Sequence, residues 1–84
     1  MSPAEQAVAG EIRRLVRDEL HARVEFADEE ELASRLDSLA LLSLVVAVED
    51  RFRIVLTEED ASRARSLADL SGNVAARAAP ELLP

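Results

Sequence analysis

Between Asp37 and Phe52 the chain reads Asp-Ser-Leu-Ala-Leu-Leu-Ser-Leu-Val-Val-Ala-Val-Glu-Asp-Arg-Phe, and this run constrains the fold more than any other. It contains no Gly or Pro, and Asp37 is a strong N-cap because its carboxylate accepts the free N–H groups of a first helical turn. The run predicts a helix from about Ser38 to Arg51. Leu39 to Val48 is apolar apart from Ser43. That stretch is too short to cross a bilayer, which needs about 20 residues. At 100° per residue, Leu41, Leu44, Val45, Val48 and Phe52 form one stripe. Leu39, Leu42 and Val46 form a second, nearly opposite, beside Ser43 and Asp50. A helix apolar on two sides needs cover on both. Either other helices enclose it, or one stripe faces the core and the other faces a partner or a lodged apolar ligand.

The rest of the chain supplies the enclosing helices. Ser2-Pro3-Ala4-Glu5 has the form of a capping box with Pro at the first helical position. Val8, Ile12, Leu15, Val16 and Leu20 follow at three- and four-residue spacing, predicting a first helix over about residues 3 to 20. Residues 21 to 36 have no clean period. They are expected to form a long loop pinned by Phe26, Leu32 and Leu36, with one helical turn within 28 to 34. Val24-Glu25-Phe26 alternates like a strand but has no clear partner. Thr57 is expected to cap a short segment through about Ser62, with Glu58, Glu59 and Asp60 placed well for the helix dipole. Ser66-Leu67-Ala68-Asp69 opens a last helix that buries Leu67, Leu70 and Val74 and stops at Pro80. Gly72 inside it costs roughly 1 kcal/mol relative to Ala. The expectation is an all-α single domain over residues 1 to 84. It is a small four-helix bundle with three main helices, one short one, and a loose tail from about residue 80.

Composition removes whole classes of chemistry. The chain has 84 residues, no Cys and one His. Thiol nucleophiles and Cys-based metal sites are excluded, and His21 alone builds no His-rich metal site. All ten basic residues are Arg, so lysine Schiff-base chemistry is excluded as well. No nucleophile–base pair stands out, and the expectation is that the chain is not an enzyme. A net charge of -7 opposes nucleic-acid binding and points to basic protein surfaces. Two aromatics, Phe26 and Phe52, are too few to stack single strands. Arg13, Arg14 and Arg17 are expected to form a salt-bridged surface. The acids Asp28 to Glu31 are expected to form a solvated loop rather than a metal site. His21 is expected to close the first helix, where a cation suits the dipole. The N-terminus lacks the form of a signal peptide, so a cytoplasmic protein without a membrane partner is expected.

One hydroxyl stands apart. Ser38 follows the cap and sits at the positive end of the helix dipole, where an attached anion is favoured. Asp37-Ser38-Leu39 opens a helix that continues through Leu42, Leu44, Val45 and Val48-Glu49-Asp50-Arg51-Phe52. The chain then passes Ile54 to the acidic start Thr57-Glu58-Glu59-Asp60. This combination resembles the acyl carrier protein family along nearly the whole chain. The resemblance implies a 4'-phosphopantetheine arm carried on Ser38 through a phosphodiester, with Asp37 and Leu39 contacting the transferase that installs it from coenzyme A. It implies that Leu39, Leu42, Ser43, Val46, Glu49 and Asp50 form the face shown to partner enzymes. The reactive sulfur then belongs to the arm, in keeping with a chain that has no Cys.

Departures from the family pattern refine the expectation. Arg35 stands where Gly is frequent, Ser43 where an acid is frequent, and Arg53 where a small residue is frequent. The partner face is therefore less acidic, predicting more apolar contact and fewer charge contacts. This favours polyketide or related natural-product assembly over primary fatty acid biosynthesis. The implied partners are a phosphopantetheinyl transferase and acyl-transferring, ketosynthase-type or adenylating enzymes, met by a monomer. The Ala- and Arg-rich, Lys-free composition fits a high-GC bacterial genome. The alternatives are a peptidyl or aminoacyl carrier of nonribosomal peptide assembly, and an unmodified helical adaptor that docks through the second stripe.

Overall fold

Each helix begins at a residue whose side chain takes up an N–H of the first turn. The computed structural model describes all of Met1–Pro84. It contains α1 (Pro3–Asp18), α2 (Ser38–Phe52), α3 (Glu58–Arg63) and α4 (Leu67–Arg77), with 3-10 turns at Leu32–Ser34 and Pro80–Leu82. Ser2, Thr57 and Ser66 each form a reciprocal capping box, with Glu5, Asp60 and Asp69 respectively. Asp37 caps α2 alone, its Oδ1 accepting the Ala40 N–H at 2.8 Å. Such caps are each worth about 1 kcal/mol. They explain how a short chain starts four helices in register with their apolar stripes.

The stripes meet in one core. Val8, Ile12, Leu15 and Val16 of α1 pack with Leu44, Val48 and Phe52 of α2, and with Leu67, Leu70 and Val74 of α4. The most extensive contact between helices is α1 against α4. A Cβ on Gly72 would lie 3.3 Å from the Glu5 carboxylate, the far end of a flexible side chain that would have to shift by a few tenths of an ångström. The long loop is pinned as expected, with Phe26, Leu32 and Leu36 all buried. Only the 3-10 turn at Leu32–Ser34 interrupts it. Val24-Glu25-Phe26 forms no strand, and the sole β-type pairing is an isolated bridge between Glu31 and Ser66.

Helix α1 ends two residues before the expected boundary. The Leu20 N–H turns back to the Leu15 carbonyl at 3.2 Å, and the Ala22 N–H reaches the Val16 carbonyl at 3.1 Å. His21 makes this reversal with φ of 54°. It ends the helix through its backbone, not as a charged cap, and Glu19 is the C-cap. The residues expected to form a loose tail make the turn at Pro80–Leu82, and the Arg51 guanidinium donates to the Leu82 carbonyl at 2.7 Å.

Arg53 closes α2 in the left-handed conformation, with φ 56° and ψ 45°. Glycine is the usual residue there because a Cβ is strained in that region. Arg53 is exposed, and no ion pair holds its side chain. Arg53→Gly is therefore expected to raise stability by up to about 1 kcal/mol, an increase in Tm of several degrees for a domain of this size. A melting temperature unchanged or lowered in thermal denaturation would contradict this.

One carboxylate ties α1 to α2. Glu11 accepts from Arg14 Nε through one oxygen and from Arg51 Nε through the other, both at 2.5 Å. Its side chain is only 12% exposed. The Arg14 bond, and then that of Arg51, hold the Glu11 carboxyl below its ordinary value of 4.5, against partial burial, which pushes the other way. A folded-state pKa below the unfolded one means that this stabilisation is complete above about pH 5. It is lost as pH falls through the folded-state value. Glu11→Gln is expected to cost about 1–2 kcal/mol at pH 7. The variant should also lose less stability than the parent between pH 5 and 3. Parallel urea-unfolding profiles across that range would refute the assignment.

Candidate functional site

The chain has seven serines, and the structure sorts them by what their hydroxyls do. Ser2 and Ser66 are spent as helix caps. Ser34 donates to the Glu31 carbonyl, and Ser62 to that of Glu59. Ser71 is fully buried, with no partner for its hydroxyl. Only Ser38 and Ser43 are exposed with hydroxyls free of intramolecular bonds. They differ in their surroundings. Ser43 lies in the middle of α2, where backbone N–H groups are paired within the helix. Ser38 is the first residue of α2, and the N–H groups of Ser38 and Leu39 have no intrahelical acceptor. An anion on the Ser38 hydroxyl would meet those donors and the dipole, worth about 0.3–1 kcal/mol at an exposed site. The donor set thus fits a phosphodiester.

The two stripes of α2 part as the sequence allowed. Leu44, Val48 and Phe52 are buried, and Leu41 and Val45 are half-buried. The opposite stripe is open: Leu39 is 74% exposed, Leu42 61% and Val46 48%. A shallow groove runs along it, with Leu20, Ala40 and Ala47 in its floor and Glu19, Asp37 and Asp50 at its edges. Ser38, Leu39, Leu42, Ser43, Val46 and Asp50 are brought together on this exposed side. Glu49 is half-buried, and its Oε2 accepts the Leu56 N–H at 2.8 Å. It fixes the segment after α2 and shows only part of its carboxylate to solvent.

A second feature lay outside sequence reasoning. An apolar cavity of about 320 Å³ lies between α2, α3 and the 3-10 turn. Leu41, Leu44, Val45, Leu56 and Leu70 line it together with Ala61 of α3 and Ala64, the C-cap of that helix, and Glu31, Asp60 and Arg65 stand at its rim. Leu41 lies one turn beyond Ser38, on the same side of α2. The signal for the cavity was small Ala61 and Ala64 opposite the larger Leu41, Leu44 and Val45 of α2. It gains meaning only once the two helices are known to face each other.

The expected ion pairs of α1 form: Arg13 with Asp28 at 2.6 Å, Arg14 with Glu11, and Arg17 with Asp18 at 3.0 Å. The acidic loop is partly committed too. Glu30 pairs with Arg35 at 2.7 Å, and this bond, with the Ala27 N–H, holds its carboxyl below the usual carboxylate range. No three His, Cys, Asp or Glu side chains converge as metal ligands would. No helix is long and apolar enough to cross a membrane.

A family model described as "Phosphopantetheine attachment site" matches residues 10–74. The matched span runs from within α1 to within α4 and takes in all of α2 and α3. No curated protein and no solved structure matches the chain.

Proposed function

The chain belongs to the phosphopantetheine-binding carrier family, the acyl carrier protein type, and on that premise we propose that Ser38 bears the arm and that the cargo is an apolar acyl group. Domains of this family are attachment sites for covalent 4'-phosphopantetheine, are characteristically non-catalytic, and meet phosphopantetheinyl transferases and partner enzymes. The arm's terminal thiol supplies the sulfur on which cargo is held as a thioester. The observation that carries the Ser38 assignment is its free, exposed hydroxyl beside unpaired N–H donors at the start of α2. Asp37 fixes that turn through Ala40. Asp37 and Leu39 flank the serine at the surface, where a transferase would contact them.

The exposed stripe of Leu39, Leu42 and Val46, with Ser43 and Asp50, is the face offered to partner enzymes. Its few acids favour apolar contact over charge contact, which fits polyketide or related natural-product assembly better than primary fatty acid biosynthesis. The apolar lining of the cavity favours acyl cargo over the polar aminoacyl cargo of a peptidyl carrier. A net charge of -7 opposes self-association and fits a monomer. Incubation with coenzyme A and a broad-specificity transferase tests the reading. Mass spectrometry is expected to show a single added arm, located by peptide mapping to the segment containing Ser38. An unmodified chain beside a modified control carrier would overturn it, leaving the unmodified adaptor.

A further inference from the structure

Ser38, Leu42, Val46 and Asp50 follow one another at four-residue spacing, so they form a single ridge along α2. All four are exposed. The ridge runs about 18 Å from the start of the helix to Asp50. Along one flank it borders the shallow groove floored by Leu20, Ala40 and Ala47. Asp37 and Leu39, the residues on either side of Ser38, also line that groove. Neither lines the apolar cavity on the Leu41 side of the helix. Glu19 and Asp50 stand at the edges of the groove, and neither carboxylate is taken up by an ion pair. The surface leading away from Ser38 is thus apolar along its middle and carries uncommitted acceptors at its margin.

We propose that this ridge and the groove beside it, on the α1 side of α2, are the resting place of the arm in its free-thiol form. The inference rests on the reading of Ser38 as the attachment point. Beyond its phosphate the pantetheine arm is uncharged. It carries two methyl groups close to the phosphate, then two amides separated by methylene groups, and it ends in the thiol. Leu42 lies one turn beyond Ser38 and would meet the methyl groups first. Val46 continues the apolar track, and the amide N–H groups would donate to the carboxylates of Glu19 and Asp50. The cavity on the other flank has an apolar lining, and an amide buried there without a partner is costly. An extended arm is about as long as the ridge, so its thiol would come to rest beside Asp50. A neighbouring carboxylate disfavours the thiolate, so the resting thiol is less reactive. Leu42 and Val46 are covered in the same state, and the apolar stripe of the free protein is shielded by its own arm.

NMR of the chain loaded from coenzyme A, with the thiol kept reduced, tests the resting place. Nuclear Overhauser contacts are expected between the arm's methyl groups and the side chains of Leu42 and Val46. Loading should also shift the amide signals of Leu20 and Ala47. Val46→Asn is expected to lose these contacts while the signals of Ile12 and Phe52 in the core stay in place. A second readout is alkylation of the thiol by iodoacetamide, a neutral reagent. It should run about two- to fivefold faster in Val46→Asn, which loosens the arm, and in Asp50→Asn, which removes the charge beside the thiol. Arm contacts confined to the immediate neighbours of Ser38, or made instead with Leu41, Leu56 and Ala61, would overturn the groove. Alkylation at the parent's rate in both variants would overturn it too. A chain that accepts no arm at all would remove the Ser38 reading itself, and this inference with it.

Discussion

Ser38→Ala is expected to abolish attachment of the arm completely. The substitution removes the one hydroxyl that is exposed, unbonded and set among the free donors of a helix start. It removes little else. Ser38 makes no side-chain bond in the fold, and the cap of α2 belongs to Asp37. Stability should stay within about 0.5 kcal/mol of the parent, as for other exposed positions away from special features. Ser43→Ala is the matched control, because Ser43 is also exposed on α2 but lies away from the helix start. It should accept the arm at the parent's rate. Transferase assays followed by intact-mass measurement compare the three proteins. An arm found on Ser38→Ala, or lost from Ser43→Ala, would refute the assignment. The adaptor alternative predicts a different outcome, in which Ser38→Ala has no consequence for partner binding.

Phe52→Ala is expected to have the largest effect on stability. Phe52 is fully buried at the end of α2 and belongs to the one core cluster that α1, α2 and α4 share. The Arg51 guanidinium carbon lies 4.7 Å from its ring centre and adds a cation–π contact. Removing a buried Phe ring costs about 3–5 kcal/mol through lost burial and the cavity left behind. A domain of this kind has about 5–15 kcal/mol in total. The variant should therefore melt at least about 12 °C lower, and a weak parent would be largely unfolded near physiological temperature. Phe52→Leu, which retains most of the volume, should lose far less. Thermal melts followed by circular dichroism measure both. A decrease below about 5 °C for Phe52→Ala would show that the ring is not the centre of the core.

The local parts of this structure are legible in the sequence, and the long-range parts are not. Asp37, Ser2, Thr57 and Ser66 act on the residues two or three positions ahead, so their capping roles show directly in the order of residues. Phe26, Leu32 and Leu36 are isolated apolar residues in a polar stretch, and burial is the natural use for them. Ser38 is legible for the same reason, since its setting is made by its immediate neighbours. The ties of Arg51 to Glu11, and of Arg77 to Val55 and Asp60, join residues 17 to 40 positions apart. With 10 Arg and 17 acidic residues, the sequence allows too many pairings to choose among them. Glu49 looked like a surface acid because nothing in its own helix marks it for the Leu56 N–H. The end of α1 was misplaced because Leu20 fits the helical period, yet its N–H turns back to Leu15. The cavity was invisible because it depends on which face of α3 meets α2.

The broad contact between α1 and α4 bears on how the chain acquires its structure. The two helices are separated by the whole of Glu19–Ser66, so their stripes meet only after a loop of about 50 residues has closed. Loop closure of that kind slows folding relative to a bundle whose neighbours in sequence pack together. During synthesis α1 emerges first, and its stripe of Val8, Ile12, Leu15 and Val16 can be covered only in part, by α2, until α4 has left the ribosome. The bundle is therefore assembled late and as a unit, and the nascent first helix is the stretch that most needs protection in the interval.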